Sequence, residues 1–470
     1  MSQEESVINP NEKKITSDEL MRLLQNPIDD ILKIDEGKTT ILFDSYIFDS
    51  YINEEDDYFI LCDINISREI VFKNCTFNSK NLIFIEGIIC EENVVFENCS
   101  FSKKLMFNNA TFNKDLVFKF VHLDDGIRIS GGSFNKISIS GYDTKKINIS
   151  NVTFENLYIG EYLINQTIGE FVLFCKSNEV GNIIAKDQNF ERIHISGTNS
   201  GSKFDFENTK CDNVTIDNFI NEGSLNFYGI QPLNKNSDKR YFQIINSNLE
   251  NAQFFRACFA EYKELVIIDS FVTDCIFIGC IWANNIRALK GIGYGTYEKS
   301  LETGRKITLT EAPAIKEAYR QLKISMSKHS DKIQENRFYA EELNYHNKNT
   351  LWTFPWKNQF WDKLILYASN IFSNYGQNFG KSLFWLLFGH LAFFILAISL
   401  GVFESLHINV WQPTSAGFKE AFEKYFIYIN PLRKPETSFS GYLIFLDLLM
   451  RIWASYMIYN LIRTSRRFIS

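Results

Sequence analysis

Proline is nearly absent from most of this 470-residue sequence: between Pro27 and Pro313 only Pro232 occurs. Proline cannot donate to a ladder of backbone hydrogen bonds, so its absence leaves a long stretch free for stacked strands. The nine cysteines, Cys62, Cys75, Cys90, Cys99, Cys175, Cys211, Cys258, Cys275 and Cys280, include no CxxC pair. They read as buried, reduced thiols of a cytosolic domain rather than zinc ligands. There are only six histidines and no Ser/His/Asp or metal-ligand constellation, so neither an enzyme nor a cofactor nor a metal is expected. The N-terminal MSQEESVINPNEKK has no apolar run, which predicts no signal peptide and a cytosolic N-terminal region. A net charge of -7 gives no global case for nucleic acid and leaves only local basic patches. With 45 % hydrophobic and 22 % charged residues, wholesale disorder is excluded.

What is present is a repeat. FKNCTF begins at Phe72, FENCSF at Phe96, FNNATF at Phe107, ISGGSF at Ile129 and ISNVTF at Ile149. Looser copies begin at Phe206, Ile244, Phe254 and Phe277. The template is apolar–x–Asn/Gly–small–x–apolar. Phe96, Phe107, Phe118 and Ile129 follow each other at steps of eleven, which predicts coils of about 22 residues with two similar faces per turn. Asn at a fixed corner tolerates the turn conformation and stacks on the Asn of the next coil. GIQPLNKNSDKRY, around Pro232, reads as an inserted loop.

These repeats resemble degenerate pentapeptide-repeat proteins over roughly residues 60–285. The resemblance implies a right-handed parallel β-solenoid, with a generic parallel β-helix as the alternative. The expected organisation is a cap region (1–57), a β-solenoid sensor domain (58–290), a glycine-rich connector with a helical hairpin (291–350), and a membrane domain (351–470). In the cap, Ser17-Asp18-Glu19 followed by LMRLL reads as a short capped helix closing the end of the solenoid.

After residue 310 the period becomes helical. Thr310 is a cap, Pro313 sits in the first turn, and Ile315, Tyr319, Leu322 and Met326 form a stripe. Past a break at Ser330-Asp331, Ile333, Phe338, Leu343 and Tyr345 suggest a second amphipathic helix. Trp352, Trp356 and Trp361 with Lys357 and Lys363 suit an interfacial helix over 352–375. Residues 382–402 and 442–462 are apolar stretches long enough to cross a hydrocarbon core of about 30 Å. Between them, 415–429 forms an amphipathic helix stopped by Asn430-Pro431. Lys381, Arg463, Arg466 and Arg467 flank the spans, Arg433 and Lys434 lie in the loop between, and together with the missing signal peptide this predicts that both ends are cytoplasmic.

Two spans flanking a short helix have the layout of a channel subunit, although the potassium filter TVGYG is missing and YINPLRKPE stands in its place. Asp447 and Arg451 are four residues apart on one helical face; inside a membrane they either bridge to each other or line a pore. His390 is a further gate or helix-contact candidate, and Glu404, Glu420 and Glu423 are candidate acidic rings. On the solenoid, Lys239, Arg240, Tyr241, Arg256, Arg287 and Lys290 are candidates for an anionic ligand.

EKYFIYINPLRK and FLDLLMRIWASYMIYNLIRTSRRF resemble the loop and last helix of bacterial pentapeptide-repeat membrane proteins, extending the likeness to the C-terminal 150 residues. The combination also resembles the membrane-channel effectors of anti-phage defence of the Hailong type. That resemblance implies an ion channel in the lipid bilayer of the bacterial inner membrane, a single-stranded DNA or nucleotide ligand that holds it closed, and a nucleotidyltransferase partner; the two-span layout itself predicts several copies, four being usual, and so a homotetramer. The competing expectations are a membrane-anchored scaffold without a pore and a polysaccharide-cleaving β-helix enzyme.

Overall fold

The computed structural model describes residues 13–35, 38–49, 58–142, 144–162, 165–175, 180–237, 240–283, 286–287, 312–400, 415–434 and 441–466. The chain forms two compact units, Met1–Lys306 and Ile307–Ser470.

The first unit is a parallel β-solenoid. Its strands build an 18-stranded and an 11-stranded sheet. Among the described residues the single antiparallel pair is Leu32–Asp35 with Lys38–Asp44. The eleven-residue step is half a coil. Phe96 pairs with Phe72 and Phe118 in the larger sheet, while Phe107 pairs with Ile85 and Ile129 in the other. Successive copies of the motif therefore alternate between the two sheets. Inward rings stack coil on coil: Phe43, Phe72, Phe96 and Phe118 lie 5.2, 4.9 and 5.0 Å apart with nearly parallel planes. Phe206, Phe227, Phe254 and Phe277 make a second such column.

The third residue of each motif is the corner. Asn74, Asn98, Asn109, Gly131, Asn151, Asn208, Asn246 and Gly279 all have positive φ, the region that Asn and Gly enter at least cost. The Asn98 amide donates to Asn74 Oδ1 at 2.7 Å, and Asn74 donates to Asp44 Oδ1 at 3.0 Å. The expected asparagine ladder is therefore formed. At Gly131, with φ 69°, a Cβ would stand 2.3 Å from Asn109 Oδ1, so a side chain there would displace the Asn109 amide.

Thr16 accepts from Glu19 N and caps α1 (Ser17–Gln25), which buries Leu20 and Leu24. The cap is Thr16, one residue before the Ser-Asp-Glu run. Strands Lys38–Asp44 and Tyr46–Asp49 already pair with Glu69–Lys73 and Thr76–Asn78, so stacking is under way within the expected cap region. At the Pro232 loop the coil lengthens: Val214 faces Phe242, a step of 28 (242 − 214), against 22 (105 − 83) for Ile83 and Leu105.

The cysteines are all free, but not all are buried. Cys62 is exposed and Cys258 and Cys280 are half-buried, which corrects the expectation of nine buried thiols. Strand Phe59–Cys62 alternates inward and outward, and its fourth residue faces out. Burial pushes the Cys90 and Cys175 thiols up to about 12, which leaves them unreactive.

The second unit is helical. α2 (Ala312–Lys328) buries Ile315, Tyr319, Leu322 and Met326 as the stripe requires. α3 (Lys332–Asn349) is capped by Asp331 and follows a left-handed Ser330. The pair is antiparallel, joined by Lys323–Glu342 at 2.7 Å and by Tyr319 stacked on Tyr345. Ile333 is exposed, contrary to its expected place in the stripe, because it lies in the first turn of α3 while the buried face runs through Phe338 and Tyr345. Thr310 lies outside the described residues.

α4 (Asn358–Ser373) is shorter than the expected 352–375, and Trp352, Trp356 and Trp361 are exposed along this stretch. α5 (Phe379–Ser399) begins three residues before the expected span. Among the described residues it is the one helix long and apolar enough to cross a membrane. α6 (Ser415–Ile429) matches its expected bounds. α7 (Tyr442–Arg466) has 25 residues, but Asp447, Arg451, Arg463 and Arg466 interrupt its apolar run.

Candidate functional site

α5 and α7 pack along their length. Phe394 and Ala397 meet Leu446 and Met450, and Leu386 meets Ala454 and Met457, so the two helices are antiparallel. Gly389 permits the approach: a Cβ there would lie 2.3 Å from the Trp453 ring. The Trp453 indole N–H donates to the Trp385 carbonyl at 3.2 Å. α6 leans its C-terminal half on the middle of this pair. The Tyr425 hydroxyl donates to Leu387 O at 2.6 Å, Tyr428 is buried against Phe394, and Ile429 reaches the cluster of Leu386 and Ala454.

A helix end in an apolar setting leaves carbonyls without partners. Here two arginines supply the donors. Arg433 donates to Tyr428 O at 2.7 Å and lies 4.1 Å over the Tyr428 ring. Arg451 donates to Arg433 O at 2.8 Å and to Pro431 O at 3.3 Å. Asp447 holds both guanidinium groups, accepting from Arg433 and, at 2.7 Å, from Arg451 Nε. The three side chains are largely buried. One carboxylate against two guanidinium groups leaves a net positive charge, and the negative end of the α6 dipole faces it. The network clamps the loop after α6 onto α7.

Asp447 and Arg451 are thus brought together as expected, and their third partner is Arg433 of the same chain. His390 is fully buried against the Tyr425 ring at 5.6 Å, and neither ring nitrogen has a hydrogen-bond partner among the described residues. The expected helix–helix hydrogen bond at His390 is not made. Glu420 pairs with Lys424 at 3.6 Å and Glu423 is exposed, both on α6 and apart from the clamp. Glu404 lies outside the described residues. The face of α6 bearing Phe418, Phe422 and Phe426 borders an apolar groove of about 410 Å³ against Leu387, Phe388 and Leu391 of α5.

The described ligand candidates are spread over both sheets of the solenoid. Arg240 is consumed in tying down the inserted loop, donating to Ser237 O at 2.7 Å and to Glu261 O at 2.6 Å. Tyr241 opens a strand of the 11-stranded sheet opposite Glu264, and Arg287 belongs to the last strand of that sheet. Arg256 is exposed at a corner after a strand of the other sheet, with φ 53°. Lys239 and Lys290 lie outside the described residues.

Two features escaped the sequence reading. The inserted loop walls a polar groove of about 580 Å³ with Lys145, Glu170, Arg192 and Asp212. Phe120 stands in a corner with φ 56°, where the template calls for Asn or Gly. Its ring lies 6.4 Å from Tyr142, which stacks on His122 at 5.1 Å. Lys119 lies 5.8 Å from Phe120 and 5.5 Å from the Tyr162 ring. The signal was in the template: FKFVHL, from Phe118, carries Phe at its third position.

Comparison with protein-family models, curated proteins and solved structures finds no match for this chain. Its function is argued from its own geometry.

Proposed function

We propose that this protein is a multi-copy membrane channel whose opening is governed by its β-solenoid. The observation that carries the reading is the clamp: α6 ends against the middle of α5 and α7, and Arg433, Asp447 and Arg451 fasten the returning loop. A short helix dipping between two spanning helices is an economical way to line a pore in lipid, where every loop carbonyl needs a donor. In this reading α7 is the second span, its charges neutralised or capped within the chain, and both termini are cytoplasmic. Two such helices enclose nothing alone, so a homotetramer is the working assembly.

The proposed trigger is an oligonucleotide, single-stranded DNA above all, that holds the channel closed as part of anti-phage defence alongside a nucleotidyltransferase partner. The exposed rings of Tyr142 and Tyr162 with Phe120 and His122 support this, since such rings stack bases. Lys119 and Lys136 interleave with them, each already paired with Glu97 or Glu161.

Dye leakage from liposomes holding the full chain tests the proposal. A leak that Asp447→Ala or Arg451→Ala changes and single-stranded DNA suppresses supports it. A folded, inserted protein that never leaks overturns it in favour of a membrane-anchored scaffold. That second reading has its own support: Asp447 and Arg451 pair with each other inside one chain, so their charges require no water-filled lumen.

A further inference from the structure

Among the described residues of the helical unit, the turn between α4 and α5 alone has consecutive left-handed residues. Asn374, Tyr375 and Gly376 are consecutively left-handed, with φ 50°, 54° and 84°. A tyrosine rarely adopts that conformation, and here it is held by its surroundings. Tyr375 is buried, and its hydroxyl accepts from Asn347 Nδ2 of α3 at 3.0 Å. Lys363 of α4 donates to the carbonyl of the same Asn347. Gln377 donates to Asn336 O of α3 at 2.7 Å, and Asn378 then caps α5. Gly376 faces Arg463 in α7, where a Cβ would come within 3.1 Å of its Nε. The five residues 374–378 thus touch α3, α4, α5 and α7.

A second contact runs beside it. The Tyr339 ring of α3 has Lys323 of α2 at 5.2 Å and Arg463 of α7 at 5.6 Å. Lys323 is also the residue that ties α2 to α3 through Glu342.

We propose that residues 374–377 together with Tyr339 form a coupling joint: displacement of the α2–α3 hairpin passes through it to the N-terminal end of α5 and the C-terminal end of α7. The hairpin cannot tilt as a body without dragging Gln377 through Asn336 and Arg463 through Tyr339. The strained turn is the pivot, because three fixed left-handed residues leave little freedom to absorb the movement locally. The joint supplies a route for regulating the proposed pore and depends on that reading only for its purpose. The coupling itself is a property of the helices.

Hydrogen exchange on the full chain in phospholipid nanodiscs tests it. Lys323→Ala loosens the hairpin by breaking its ion pair with Glu342. Exchange at residues 461–466 of α7 is expected to quicken about threefold, the lower end of coupling between residues of one network. In a background of Tyr339→Leu with Gln377→Ala, that response disappears. No response in the otherwise natural chain, or an equal response in both backgrounds, overturns the proposal. Glu342→Gln breaks the same ion pair and serves if Lys323→Ala fails to fold. No leak is measured, so failure of the channel reading leaves this result standing, and the reverse.

Discussion

The solenoid and the helical unit treat the same residue type in opposite ways. The column phenylalanines of the solenoid are turned inward and stacked: Phe43, Phe48, Phe101, Phe118 and Phe206 are essentially inaccessible. In the helical unit Phe388, Phe418, Phe422 and Phe426 are half exposed or more. One unit completes its apolar core by adding coils of its own chain. The other leaves large apolar side chains exposed on its surface. Polar groups follow the same division. Solenoid corners are satisfied by an Asn or Asp of the neighbouring coil, whereas the loop after α6 is held by three particular side chains with no repeat behind them.

Breaking that second arrangement should have the largest effect. Asp447→Ala leaves two buried guanidinium groups without their counter-charge and is expected to cost about 5 kcal/mol, the upper range for a broken buried pair. Thermal unfolding in nanodiscs, followed by tryptophan emission from Trp385 and Trp453, reads it. An unchanged midpoint would show the clamp to be idle. In the solenoid, Phe96→Ala removes one ring from a column of four and should cost about 3–4 kcal/mol by denaturant titration. A much smaller loss would mean that the neighbouring coils close the gap.

Corner substitutions come next. Asn98→Ala places a Cβ residue without a compensating amide in the left-handed region and should cost about 1–2 kcal/mol. Asn98→Gly should recover most of that loss; if both are equal, the ladder hydrogen bond matters more than the backbone. The smallest effect belongs to His194. Desolvation lowers its pKa below the ordinary 6.5, while Asp217 and Glu170 pull the other way. The folded state therefore prefers the neutral ring, and the unfolded chain takes up the proton first. This contribution is present above about pH 6.5 and declines as pH falls below it. His194→Gln should flatten the acid limb of a stability–pH curve, and an unaltered limb would assign it to other groups.

Much of the solenoid was legible because its rules are local. The step from Phe96 through Ile129 and the Asn at the third motif position sufficed to place both sheets and their corners. Cys62 was misjudged because apolar company says nothing about which way a pleated residue points. Arg240 looked like a free cation because its acceptors, Ser237 O and Glu261 O, meet it only after the inserted loop folds back. The pairing of Arg433 with Asp447 was hidden for the same reason. They lie 14 residues apart in sequence, and no period connects them. The bounds of α6 were readable from Asn430-Pro431, but where its end points was not.

The step of one coil has a consequence for reach. Strands of a sheet lie about 4.8 Å apart, so the ten intervals of the 11-stranded sheet add up to about 48 Å. Each coil touches only its neighbours and closes its own corners. Removing or duplicating one coil of about 22 residues would therefore shorten or extend this rod by a fixed increment while leaving both ends as they are. The domain works as a ruler graduated in whole turns, and a lineage could set its length by counting rather than by redesign.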